Sequence, residues 1–555
     1  MSQSSTFLLR KNDRIVFLGD SITEQHLYTN YVESYLALRY PELKLTFFNA
    51  GWGGDTAPGG VLRLDRDVLA LKPTVVTICY GMNDGSYVQP TDEIRTRFVT
   101  GMRELVRRLK AANIRIVLLT PGMVEETVNP GLAAVNYNRG GLRILADEVL
   151  ALARQENLPV ADVHKLMNEV NARAKAADPT FCMIPDSVHP EPAGHLVMTF
   201  GLLQSLGVPL RQQSVAVDLQ KRAVTASGGI KSRGLKKNPY GFILNLQLDS
   251  QPFFIEPSAR KVLPFLPFQE TFNELKLSVR GLASENGYFR GETLRSAPLP
   301  RPEFEAGINL FSQWTLPLLQ PGEANNRFTC EKDQIYYKAW RVLGLNNLNS
   351  AYYDAKAHTA GIRMMQTLEN CRGAILKNRS ALTCSLNVVS TDQPGEAIRN
   401  GDFISQWSLR GIFPKPYDTD PLNGEAAFTA QVPKLSGEWR AWDLDLINTG
   451  GNLLQPFGQQ NDCFAYAVTL VRSPMAQEAE LLVGSDDGVA VWLNGENLLK
   501  NLAIMRGIAP DQERIKVQLR AGDNVLLLKI SQGVAGWGMC VRFAGLKQPV
   551  VVVRP

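Results

Sequence analysis

Between residues 12 and 208 short apolar runs alternate with stretches of helical periodicity, and this alternation restricts the possible folds more than any other feature of the chain. The runs are 15–18, 45–48, 75–79, 114–119 and a weaker one at 159–163. Each is short, mainly apolar and bounded by turn formers, as strands buried on both faces are. Between them Ile94, Phe98, Met102, Leu105 and Leu109 recur at helical spacing. Strands alternating with helices predict a parallel sheet covered on both faces, with right-handed crossovers: a three-layer α/β unit.

The strand ends carry the polar chemistry. The first run stops at Gly19, and Asp20, Ser21, Ile22, Thr23 and Glu24 open a helix, which puts Ser21 at a strand-to-helix turn. Open α/β sheets bind ligands at that edge. A serine there has two readings, nucleophile or helix cap. The second run leads into Asn-Ala-Gly-Trp-Gly-Gly-Asp-Thr at 49–56, the third into Tyr-Gly-Met-Asn-Asp-Gly at 80–85, and a Pro-bracketed loop, Pro-Asp-Ser-Val-His-Pro, follows at 185–190. Four polar loops therefore converge on one edge.

A serine hydroxyl attacks at neutral pH only if a base takes its proton. The chain has five histidines. His26 falls directly after Ser21 and reaches back poorly, His164 starts a helix on the far side, His195 lies inside the last helix, and His358 belongs to another region. His189 remains, and Asp186, three residues earlier, can accept its Nδ1 proton. An Asp-x-x-His turn with a local hydrogen bond is the competing reading. The oxyanion of an acyl-transfer intermediate needs donors, for which the backbone NH groups of Ser21 and Gly54 and the Asn83 carboxamide are the natural set. An ordinary turn at Gly54 and a turn or cap at Asn83 are the alternatives. Asp20 and Trp52 are candidate substrate contacts. Trp52 can be an aromatic platform for a sugar ring or a lid packed on neighbouring loops.

Gly-Asp-Ser at 19–21, the glycine block ending Gly-Gly-Asp-Thr at 53–56, Gly-x-Asn-Asp at 81–84 and Asp-x-x-His-Pro at 186–190 together resemble the four blocks of the SGNH hydrolases, also called GDSL esterases and lipases. The resemblance implies a flavodoxin-like sheet with Ser21 as nucleophile, Gly54 and Asn83 completing the oxyanion hole, Asp186 as orienter and His189 as base. It implies no metal and no organic cofactor. Gly51, Gly53 and Gly54 compete for the second-block role, and Gly54 is preferred because it directly precedes Asp-Thr.

At 555 residues the chain exceeds one core, and three units are expected: 1–210, 211–395 and 396–555. Charge is nearly balanced, 59 basic against 54 acidic residues, with no basic block, so nucleic acid is not an expected partner. No apolar run is long enough to span a bilayer, and the first residues lack a signal peptide's apolar core. As written, the sequence reads as soluble and cytoplasmic, or as secreted or periplasmic if a signal has been removed. The seven cysteines form no CxxC pair, which fits neither a disulfide framework nor a zinc site.

In 211–395 the period changes to strand alternation at 242–248 and 274–282, followed by Gly-Ile-Asn-Leu at 307–310 and an aromatic-rich helical stretch with Tyr336, Tyr337, Trp340, Tyr352 and Tyr353. This resembles the β-rich extension with a helical hairpin found behind some bacterial SGNH domains. So many aromatics are better buried, so the hairpin is expected to pack beside the site and narrow it. From 396 the chain reads as all β, with Asp-Gly and Asn-Gly turns at 487–488 and 494–495 suggesting a hairpin-built sandwich. It looks like the galactose-binding-like and protective-antigen-type jelly rolls. Asp486 and Asp487 can be read as calcium ligands or as a charged hairpin turn. The function expected is a serine esterase working through an acyl-enzyme on a small ester or acetylated glycan, by removal of acetyl groups from a carbohydrate. A general short-chain ester or lysophospholipid hydrolase and a non-catalytic glycan-binding protein are the alternatives.

Overall fold

The computed structural model describes residues 7–238, 241–282, 284–290, 299–313, 316–343, 355–378, 382–391, 396–435, 438–443, 451–458 and 460–555. Tyr352 and Tyr353 lie outside the described residues.

The five apolar runs form five parallel strands: β1 (Arg14–Gly19), β2 (Thr46–Gly51), β3 (Val75–Cys79), β4 (Arg115–Leu119) and β5 (Val160–Ala161). Their spatial order is β2-β1-β3-β4-β5, a doubly wound, flavodoxin-like arrangement. Because β1 sits inside the sheet, nearly all of its side chains are buried, and alternate ones feed two cores. Ile15 and Phe17 join a core with Tyr28, Tyr35 and Leu196, whereas Val16 and Leu18 join one with Leu64, Phe98 and Leu105. Helices cover both faces, as the alternation requires.

Three of those helices position the site. Helix α1 (Ser21–Glu24) starts one residue beyond β1, α2 (Leu27–Arg39) follows, and α3 (Ala57–Asp67) follows the glycine block. Asp20 caps α1 by accepting from the Ile22 NH at 3.0 Å. Capping therefore falls to Asp20, which leaves the Ser21 hydroxyl available. Thr56 caps α3 in the same way, accepting from the Gly59 NH.

Beyond residue 208 the strands pair only among themselves in the described residues. A four-stranded sheet within 213–309 and a five-stranded sheet within 230–391 enclose a core of Val215, Val217, Leu244, Leu246, Leu277 and Phe289. Before the last strand of the second sheet, Leu382–Thr391, come α4 (Gln320–Tyr337) and α5 (Ala355–Asn378). Helix α4 lies against α2, where the Lys332 Nζ, fully buried, donates to Glu33 of α2 and to Glu369 of α5, and Arg372 bonds both of those carboxylates. Removing one partner of such a buried pair typically costs about 3–5 kcal/mol, so this helix is clamped in place.

The last region is an antiparallel sandwich of an eight-stranded and a three-stranded sheet, with Leu481, Val491, Leu528, Met539 and Phe543 between them. One turn there differs from expectation. Asn494 and Gly495 make a two-residue hairpin, both with positive φ, joining Val489–Leu493 to Glu496–Asn501. Asp487 and Gly488 do not close a hairpin. Strand Gln477–Asp486 belongs to the smaller sheet and Val489–Leu493 to the larger, so the chain crosses between sheets at this point. An Asp-Gly pair marks a turn, but the partner of each flanking strand is a long-range property. Among the described residues no helix is long and apolar enough to cross a membrane.

Candidate active site

The loops after β1, β2 and β3 are tied together by buried polar groups. Arg63 of α3, almost wholly enclosed, donates to the carbonyls of Gly19 (3.1 Å) and Ala50 (2.8 Å) and to Asp55 (2.8 Å). It thus fastens the ends of β1 and β2 to the glycine block. Asp84 accepts from the backbone NH groups of Ala57 (2.9 Å) and Gly81 (3.0 Å), joining the third block to the second. Burial, only partly offset by those two NH groups, pushes its carboxyl up to about 7.

On this frame Ser21, His189 and Asp186 come together. Ser21 Oγ lies 2.8 Å from His189 Nε2, and His189 Nδ1 lies 2.7 Å from Asp186 Oδ2. The other carboxylate oxygen accepts from the backbone NH groups of Val188 (2.9 Å) and His189 (2.7 Å). Partial burial pushes the Asp186 carboxyl up, but these NH groups and the imidazole outweigh it and hold the group below the usual carboxylate range. An ionised carboxylate only accepts, so the ring proton sits on Nδ1 and Nε2 faces the serine as an acceptor. The Asx turn and the histidine contact coexist, one on each oxygen of Asp186.

Asn83 stands on the same edge. Its Nδ2 donates to the Asp55 carbonyl (3.0 Å), and its Oδ1 accepts from the Tyr87 hydroxyl (3.1 Å), which fixes the amide's orientation. Tyr87 and Ser86 both have left-handed backbones, φ +58° and +54°, a strained pair of a kind that persists where surrounding structure holds it. Tyr87 carries no motif and was not singled out from sequence. The three glycines separate by geometry. A Cβ on Gly51 would lie 2.2 Å from the Glu24 backbone nitrogen, so that glycine permits α1 to pack. Gly54 has φ +75° and open space where a side chain would be.

Two expected substrate contacts are corrected. Asp20 is buried with its carboxylate on the Ile22 NH, and burial, aided by the nearby Asp84 and Asp55, pushes it up to about 8. Trp52 is 4% exposed, packed edge-on against Trp340 with the Arg341 guanidinium 3.2 Å above its ring. Its faces are occupied, so the packing reading holds. The calcium reading of Asp486 and Asp487 is likewise set aside at Asp487, whose two oxygens accept from the NH groups of Arg506 (3.1 Å) and Gly533 (2.5 Å).

His195, His164 and His26 do other work. His195 is fully buried, accepts from the Tyr28 NH at Nδ1, and therefore donates from Nε2 to Gln25 Oε1 (2.9 Å). Burial pushes it down to about 3, so it stays neutral. His164 bonds the Asn138 carbonyl. His26 is buried beside Asp333, 3.6 Å away, and meets the Tyr337 ring edge-on.

A cavity of about 470 Å³ opens over Ser21 and His189 and is lined by these two with Glu24, Gln25, His26, Asp186, Gln334 and Tyr337. Every lining side chain bears a hydrogen-bonding group. Gln334 and Tyr337 come from α4, some 300 residues away in sequence; Tyr337 belongs to the aromatic stretch expected to pack beside the site, whereas no sequence signal marked Gln334.

Residues 17–197 match the family described as GDSL-like lipase/acylhydrolase. The chain is similar to the acetylxylan esterase of Geobacillus stearothermophilus, 26% identical over 216 residues, which are 35% of this chain and 94% of that protein. It is also similar to the isoamyl acetate-hydrolyzing esterase of Saccharomyces cerevisiae, 23% identical over 212 residues, 35% of this chain and 85% of that one. Among solved structures, a gut microbial diltiazem-metabolizing enzyme matches in fold with a TM-score of 0.58 at 19% identity, covering 69% of this chain and 98% of its own.

Proposed function

We propose that this chain, a serine ester hydrolase carrying a GDSL-like lipase/acylhydrolase domain, removes short acyl groups, acetyl above all, from a hydroxylated substrate of the carbohydrate class. The observation that carries this reading is the lining of the cavity over Ser21, where the side chains are hydroxyl, imidazole, carboxylate, carboxamide and phenol. Groups of these kinds bond the hydroxyls of a polar alcohol half of the ester. Both relatives are named for acetyl esters, and acetylxylan, in the first name, has a hydroxylated alcohol half.

The proposed mechanism uses the groups in place. Ser21 Oγ attacks the ester carbonyl while His189 Nε2 takes its proton, and Asp186 holds the resulting imidazolium through Nδ1. The oxyanion is met by the NH groups of Ser21 and Gly54 and the Nδ2 of Asn83, with Tyr87 holding the Asn83 amide so that it presents a nitrogen and not an oxygen. His189 then returns the proton to the departing alcohol, leaving an acetyl-serine. Water, activated by the same imidazole, releases acetate and restores the hydroxyl.

The test compares wild type with Ser21→Ala on 4-nitrophenyl acetate, then acetate release from acetylated xylo-oligosaccharides with fatty-acid release from lysophosphatidylcholine. The proposal expects the alanine variant to be inactive and the sugar ester to be preferred. Equal rates in the two proteins overturn the assigned nucleophile, and preference for the lysolipid overturns the substrate class.

A further inference from the structure

The α/β unit does not close its own site. Helix α4, which follows all but one strand of the middle sheets, presents Gln334 and Tyr337 at i and i+3, on one face, to the cavity that holds Ser21 and His189. This face has a fixed position. Besides the buried Lys332 clamp, Tyr336 packs edge-on against Phe48 of β2 and stacks on Trp340. Trp340 in turn donates to Asp67 of α3 at 3.3 Å.

The groups gathered here are matched to one kind of ligand. The Tyr337 hydroxyl donates to Glu24 Oε1 at 3.3 Å, and its ring, partly buried, leans on His26. Gln25 gives its carbonyl oxygen to His195, which leaves the amide NH₂ as the end free to turn toward the cavity. A carboxylate, two carboxamides and a phenol thus stand across from the serine. Sugar hydroxyls both donate and accept, and neighbouring hydroxyls bond well to a carboxylate flanked by amide donors.

We propose that α4 carries the subsite for the alcohol half of the ester, with Gln334, Tyr337 and Glu24 binding hydroxyls of the sugar ring that bears the acetyl group. The middle region is then a specificity element. This rests on the deacetylation reading above and extends it to named residues.

The experiment uses the full-length protein, Gln334→Ala and Tyr337→Phe, with kcat/KM measured on 4-nitrophenyl acetate and on partially acetylated xylo-oligosaccharides. The phenylalanine keeps the ring packing, so its effect reports the hydroxyl, and thermal melts check that both variants fold. The ratio of sugar-ester to aryl-ester kcat/KM should fall about tenfold in each variant, chiefly through KM, because the sugar hydroxyl would lose its partner while the aryl ester has none to lose. A ratio within about twofold of wild type in both overturns the subsite while leaving the substrate reading intact. Wild type that cleaves the aryl ester but no sugar acetate overturns the substrate reading, and the subsite with it.

Discussion

Two acidic turns in this molecule look alike as sequence and act differently. Asp186 in the α/β unit spends one oxygen on the backbone NH groups of Val188 and His189 and offers the other to a side chain, the His189 ring, which reaches Ser21. Asp487 in the C-terminal sandwich spends both oxygens on backbone, at Arg506 and Gly533, where the chain crosses between two sheets. The first is half exposed and the second buried. A carboxylate completed by main chain stabilises a fold, whereas one left half open to a titratable partner can do chemistry.

The largest test of that contrast is at the α/β edge. Ser21→Ala and His189→Ala should each lower kcat on 4-nitrophenyl acetate by about 10⁴-fold or more, with the double variant little worse than either single, because such groups act as a unit. Additive losses would separate the two residues. Asn83→Ala should cost about 10²–10³ in kcat with a small change in KM, the usual effect of an oxyanion donor, and an effect confined to KM would remove it from that role.

The matching test in the sandwich should move stability alone. Asp487→Ala leaves two buried NH groups without an acceptor and should lower unfolding free energy by about 1–3 kcal/mol in urea titration. Aryl-ester turnover should stay at the wild-type level. Lost activity with unchanged stability would invert the comparison.

A third acidic group sharpens it through pH. Burial raises the Asp20 carboxyl from its ordinary range to about 8. Between those values the native protein holds a proton that the unfolded chain has released, so the stability from this group is full below the ordinary carboxylate range and is lost as pH rises toward 8. The stability advantage of wild type over Asp20→Asn should therefore shrink between pH 5 and pH 8, by at most about 1.4 kcal/mol per unit. A difference independent of pH would mean that Asp20 is ionised throughout. The smallest effect is expected at Tyr87→Phe, a drop of about threefold to tenfold in kcat from a less firmly held Asn83 amide, with KM unchanged. An unaltered kcat would make the Tyr87 contact structural only.

Much of this was legible without coordinates, for a local reason. Ser21, Gly54, Asn83 and His189 each follow a strand end or bracket a turn, and a buried strand announces itself by its apolar run. The edge on which those loops meet then follows from parallel topology. Asp20 misled because a polar residue beside a nucleophile looks available in sequence, and between the platform and packing readings of Trp52 only neighbours such as Trp340 and Arg341 decide. Arg63 carries no motif of its own, while in space it is buried and ties two strand ends together.

By itself the sequence determined the order of strands and helices, the chemical types at the sheet edge and the base best able to reach Ser21, because these depend on period and on spacing of a few residues. Tertiary structure alone decided which strands share a sheet at Asp487 and which side chains of the aromatic helical stretch reach the cavity. Pairing of strands and docking of α4 on α2 are set by burial and by ion pairs such as Lys332 with Glu33, between residues about 300 apart. No local pattern encodes a contact of that range.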